Sequence, residues 1–177
     1  MSLDVLSDAG LISDSGKLSY VAGILFGDFC QEAVIHLMSW SSHKYKRPVR
    51  SIGAAEILAA GEAIDEGKVI KSVIAKVHNF NPDLIVVVDS KDLFTSFSTK
   101  RNSIDKSIWP DVNVIRFEFE TRNVDKLIWI LGLLNLADPG TMRESSLSDA
   151  LQLMLYSGKV PFDFTESEKC SANRSFG

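Results

Sequence analysis

Four acidic residues stand where buried elements would deliver them to one place. Asp8 closes "LDVLSD", Glu56 sits in "GAAEILAAGEA", Asp89 ends the apolar run "LIVVVD", and Asp138 lies in "NLADPGT". Carboxylates gathered at one sheet edge repel one another and raise each other's pKa values, a conflict that divalent cations resolve. Mg²⁺ prefers oxygen ligands and keeps waters and substrate phosphates in its shell. Two such ions about 4 Å apart can activate a water and stabilise the leaving oxygen of a phosphodiester. With no histidine or cysteine cluster beside these acids, the set points to metal-dependent phosphoryl chemistry and away from zinc. No P-loop is present and no GxGxxG follows a strand. "DSKD" has the wrong spacing for the DxD nucleophile of an aspartyl-phosphate phosphatase.

Taken singly, each acid has a plainer role. Asp8 and Asp138 suit turns, and Asp89 suits the N-cap of a helix beginning at Ser90. Glu56 shares a helix face with Ala60 and Ala63, at i+4 and i+7, so it is either partly buried among small residues or turned outward like Glu62 and Glu66. A buried carboxylate is expensive unless neutralised, paired or bound to metal. The four acquire a purpose only as a group.

The elements that would position them follow from periodicity. Residues 3–8, 18–27 and 33–42 read as three strands of an antiparallel meander. Residues 51–80 are helical in composition, with Gly67 dividing them into two helices and Val69, Val73, Ile74 and Val77 facing the core. The β-branched run 84–88 reads as a strand covered on both faces, and residues 127–132 as another. "IRFEFE" alternates like a strand, yet Val112, Ile115 and Phe119 fit one helical face after Pro110. A last helix would carry Leu147, Ala150, Leu151, Met154 and Leu155 on one side and stop at Gly158. Strands first, then strands alternating with helices, imply one mixed sheet with helices on its faces. The expected domain is 1–160, with a polar, loosely ordered tail over 161–177.

Composition sets outer limits. The chain has 177 residues, 45% of them hydrophobic, enough for a real core. No apolar run approaches the roughly 20 residues that span a bilayer, and the N-terminus lacks the charge and apolar stretch of a signal peptide. Cys30 and Cys170 read as free thiols, so an intracellular, cytoplasmic setting is expected, with nuclear access open. A net charge of −4 argues against a uniformly basic nucleic-acid binder. Lys44, Lys46, Arg47 and Arg50 nevertheless stand together in "SHKYKRPVR", either as a patch for a phosphate backbone or as a solvated loop.

"SDAG", "WSSHKYKRPVRSIGAAEILAAGEAID", "VVVDSKDLF" and "LIWILGLLNLADPGT" occur in the order found in the ribonuclease H domain of copia-type LTR retrotransposon polyproteins, which the chain resembles from Leu3 to about Phe164. The resemblance implies a ribonuclease H-like α/β fold. Its mixed five-stranded sheet, three strands antiparallel and the rest parallel, would be flanked by helices. It implies cleavage of the RNA strand of an RNA–DNA hybrid with two Mg²⁺ ions, Mn²⁺ being an alternative. Carried over by motif, Asp8, Glu56, Asp89 and Asp138 match the family's metal-binding carboxylates. Ser90 and Lys91 are expected to touch backbone or ribose, and Lys44, Lys46, Arg47 and Arg50 to touch phosphates. The reverse transcriptase portion of a parent polyprotein is the expected protein partner.

The departures cluster around Asp138. "WILGLLN" lacks the proline and basic residue of "WIPGKYN"-like segments, and Met142 stands where lysine is usual. "SIGAAE" replaces "STLAAE", placing Gly53 early in the helix at up to about 1 kcal/mol relative to alanine. These changes keep open an alternative, a decayed or co-opted module that binds hybrid without cutting it. A chain starting at the first strand of the domain is expected to be a fragment, a decayed copy or a co-opted gene.

Overall fold

The structure is a computed structural model that describes residues 1–12, 15–26, 33–45, 49–98, 108–141, 149–160 and 169–171. Its strands are β1 (Ser2–Ile12), β2 (Ser15–Phe26), β3 (Ala33–Lys44), β4 (Asp83–Val88) and β5 (Lys126–Trp129), with short edge strands β6 (Lys159–Val160) and β7 (Lys169–Ser171). Its helices are α1 (Ile52–His78), α2 (Lys91–Ser98), α3 (Trp109–Glu120) and α4 (Asp149–Ser157). The sheet runs β6-β3-β2-β1-β4-β5-β7. The β1–β2 and β2–β3 pairs are antiparallel, and the β1–β4 and β4–β5 pairs are parallel. The expected mixed five-stranded sheet is thus the body of the fold. No helix among the described residues is long and apolar enough to cross a membrane.

Both faces of the central strands are covered, as the unbroken apolar run of β4 requires. Leu3, Val5, Leu84, Val86 and Val88 pack toward α1, α2 and α3. Leu6, Ile85, Val87 and Ile128 pack on the other face with Leu136 and Met154. Asp4, 1% exposed, sits in β1 with Oδ1 accepting from the Ser2 hydroxyl at 2.7 Å, and burial pushes its pKa up to about 7.

Several expectations are corrected. Residues 52–78 form one helix, not two. Ser51 caps its start by accepting from the Ala54 amide, and Asn79 closes it in the left-handed region at φ 51°. Gly67 does not break it because the glycine serves a close approach: a Cβ there would lie 2.8 Å from Leu84 Cδ1 and 2.9 Å from Val5 Cγ2. Gly67→Leu is expected to lower stability by about 1–3 kcal/mol through overpacking, read as a drop in the unfolding midpoint.

The face running Glu56, Ala60, Ala63, Gly67, Ile70, Ile74 is the buried one, which turns Val69, Val73 and Val77 outward at 60%, 53% and 69% exposure. Only Ile74 of the four expected core residues is inside. Small residues at 60, 63 and 67 let the helix axis approach the sheet, so they, and not the valines, set its rotation.

The ambiguity of "IRFEFE" resolves as helix, with Pro110 in its first turn and Val112, Ile115 and Phe119 buried. Lys68 Nζ meets Glu118 Oε1 at 2.7 Å and ties α1 to α3. In α4, Met154 is buried but Leu155 is 53% exposed, and Gly158 ends the helix at φ 68°. Leu147, the Ala150 side chain and Cys30 lie outside the described residues. Within the stretch expected to be loosely ordered, Lys169–Ser171 pair antiparallel with β5.

Candidate active site

The parallel register of β1 and β4 pairs Leu6 with Val87, and two residues farther along each chain come Asp8 and Asp89. Asp8 does not end its strand as expected. β1 continues to Ile12 against β2, with Asp8 opposite Ser19, and only its parallel pairing with β4 stops at Leu6. Asp89 is the first residue beyond β4. Glu56, on the small-residue face of α1, is 7% exposed and arrives over the same point. Asp8, Glu56 and Asp89 each offer a carboxylate oxygen, and these oxygens lie within 4.8 Å of one another.

Asp138 opens a 3₁₀ turn, Asp138–Gly140, beside this trio. It lies outside the tight cluster and is half-buried, yet its charge is felt by Glu56 and Asp89. So the fold gathers three of the four acids closely and sets the fourth at the rim.

Electrostatics at the cluster run one way. Burial, then Asp8 and Asp89, push Glu56 up to about 9. Burial and Asp8 push Asp89 up to about 6, against a hydrogen bond from Asn135. Asp8 is raised by burial although the Thr141 hydroxyl and the Ala9 amide oppose this, and Asp138 is raised by burial and by Asp8. Glu56 Oε2 is buried with no hydrogen-bond partner. Clustered oxygen donors and a carboxylate oxygen without a partner among the described residues fit a hard divalent cation.

The surroundings hold these acids in place. Asn135, 1% exposed, donates to the Ser7 carbonyl at 2.9 Å, accepts from the Ala137 amide at 3.1 Å and also bonds the Asp89 side chain. The Trp129 indole donates to the Asp89 carbonyl at 2.9 Å. The Thr141 hydroxyl bonds the Asp8 carboxylate and reaches the Asp138 carbonyl at 2.9 Å. Gly10 permits that contact, since a Cβ there would lie 3.0 Å from Thr141 Cβ. Sequence reasoning missed Asn135 and Thr141, although both lie in or beside "NLADPGT". Asn135 has one local signal, a polar residue within an apolar run, and Thr141, after Pro139-Gly140, has none.

The remaining candidates are dispersed. Ser90 Oγ accepts from the Leu93 amide at 3.3 Å, so Ser90 caps α2 and leaves the Asp89 carboxylate free of that duty. Lys91 is exposed, its Nζ 5.2 Å from the centre of the Trp129 ring. Lys44 is exposed at the end of β3, and Arg50 is exposed just before the Ser51 cap. Lys46 and Arg47 lie outside the described residues.

No family model and no curated protein matches the sequence. Solved structures do. LC11-RNase H1, from a compost metagenome and crystallised in complex with RNA/DNA hybrid, is 13% identical with a TM-score of 0.56, over 77% of this chain and 91% of its own. RNase H1 from the halophilic archaeon Halobacterium salinarum NRC-1 is 13% identical with a TM-score of 0.51, over 82% and 97%. At that identity the likeness is one of architecture, and the architecture is clear: this chain has a ribonuclease H-like fold.

Proposed function

We propose that this chain is a ribonuclease H, cutting the RNA strand of RNA–DNA hybrids with two divalent cations, Mg²⁺ or Mn²⁺, held by Asp8, Glu56, Asp89 and Asp138. The observation that carries this reading is the convergence of Asp8, Glu56 and Asp89 within 4.8 Å. A carboxylate trio with two buried members and no cationic partner among the described residues is costly to the protein unless something positive joins it. The bound LC11-RNase H1 structure supplies the substrate class by likeness of fold.

In this reading Asp8, Glu56 and Asp89 provide the inner oxygens, and half-buried Asp138 provides an outer one. When bound, the divalent cations supply the positive charge that acidifies a water and neutralises the departing 3′-oxygen. Asn135 and Thr141 hold Asp89 and Asp8 in register, and Trp129 fixes the backbone at Asp89. Lys44, Lys46, Arg47 and Arg50 would contact phosphates, and Lys91 the backbone or ribose, without reading sequence. Ser90, engaged as a cap through its side chain, would act through the backbone.

The copia-type retrotransposon origin rests on the four sequence motifs in register. With it come a domain over residues 1–160, a 161–177 tail, a reverse transcriptase partner and a cytoplasmic setting with nuclear access. Labelled hybrid incubated with the purified chain and Mg²⁺ should be cut in its RNA strand, and EDTA should stop the reaction. Hybrid bound but uncut, under conditions where a related enzyme cuts it, would instead establish a binding remnant.

A further inference from the structure

Tyr45 follows β3 and packs against a small cluster made by Ala9, Leu18, Ala55 and Ala59. Two of these adjoin the acids already described, Ala9 beside Asp8 and Ala55 beside Glu56. The Tyr45 hydroxyl is shut off from solvent and has no hydrogen-bond partner among the described residues. A buried phenol normally finds one.

The charges of three carboxylates bear on it, Glu56, Asp8 and Glu62. Glu62 already meets His43 Nε2 at 2.9 Å. Asp8 already accepts from the Thr141 hydroxyl and the Ala9 amide. The Glu56 carboxylate also bonds the Ala9 amide, but of these three acids it alone has a buried oxygen, Oε2, without a partner among the described residues. A buried donor without an acceptor and a buried acceptor without a donor thus lie on the same side of the fold, where Tyr45 packs on Ala9 of β1 and on Ala55 and Ala59 of α1.

We propose that Tyr45 is a positioning residue for the carboxylate cluster, its hydroxyl donating to Glu56 Oε2 through one bridging water. A carboxylate oxygen has more than one lone pair, so Oε2 can accept from that water and still face a cation. Fixing Glu56 in this way keeps its carboxylate turned toward Asp8 and Asp89. Because the hydroxyl is buried, it acts on the cation site and does not touch substrate. The inference rests on the cation-binding reading above.

The test is calorimetric titration of the full chain with Mn²⁺ and with Mg²⁺. Outer partners of metal ligands typically account for about 10–100-fold in affinity, and Tyr45→Phe should lose that much. Its cleavage should fail at low Mg²⁺ and recover at saturating Mg²⁺, with KM for hybrid unchanged. Tyr45→Leu, which also removes the ring, separates packing from hydrogen bonding. If Tyr45→Phe binds cations like wild type while Tyr45→Leu does not, only the ring matters and the proposal is overturned. Wild-type protein that binds neither cation would overturn the cation reading, and this inference with it.

Discussion

Asp89→Asn is expected to lower hybrid cleavage by about 10³-fold or more, the scale for removing one preorganised electrostatic partner at a reaction centre. The same variant should fold as well as wild type. The substitution conserves volume, and an asparagine Oδ1 can still accept from Asn135, so the hydrogen bond to Asp89 survives. It also removes one of the like charges crowding Glu56, which relieves repulsion in the cation-free protein. Loss of cleavage with an unchanged or raised melting temperature is therefore the diagnostic pair. Asp138→Asn should cost less, because Asp138 lies outside the tight cluster. Normal cleavage by Asp89→Asn would end the assignment of this side chain as a ligand.

The second large effect is on stability. Glu56 and Asp89 have pKa values raised in the folded state, Glu56 from an ordinary 4.5 to about 9 and Asp89 from 3.8 to about 6. The folded protein thus binds protons that the unfolded chain has already released. Their stabilising protonation is complete below the ordinary carboxylate range and is lost as pH rises through the raised values. For Glu56 the loss approaches about 1.4 kcal/mol per pH unit between those limits. Cation-free wild type should therefore lose ground to Glu56→Gln steadily from pH 5 to about 9, when both are melted in EDTA. Adding Mg²⁺ at high pH should restore wild type and leave Glu56→Gln little changed, since only a site with its charges intact rewards the ion. A gap between the two proteins that shrinks as pH rises would contradict the burial of Glu56. Asp4, raised to about 7, adds a slope of the same sign in both proteins, so the comparison cancels it.

Much of this molecule is legible from its residue order. The meander, the covered strand at 84–88, the helical character from Ser51 onward and the stop at Gly158 follow from side-chain period and turn chemistry, which act over a few residues. The acids at 8, 56, 89 and 138 were visible for the same reason: each interrupts an apolar pattern. Where period alone had to choose a helix face, it failed. Val69, Val73 and Val77 look like core residues, but the approach of Gly67 to Leu84 and Val5 turns that stripe outward. The same contact overrules glycine as a helix breaker.

By itself the sequence determined which residues could carry charge into an apolar setting and which elements would bear them. Only the tertiary structure decided that Asp8, Glu56 and Asp89 converge while Asp138 stays at the rim, that Ser90 and not Asp89 caps α2, and that Asn135, Thr141 and Tyr45 stand around the acids. Those decisions depend on the parallel register of β1 with β4 and on how closely α1 can lie on the sheet. Both are contacts between residues 17 to 81 positions apart, and no local pattern can encode their distance.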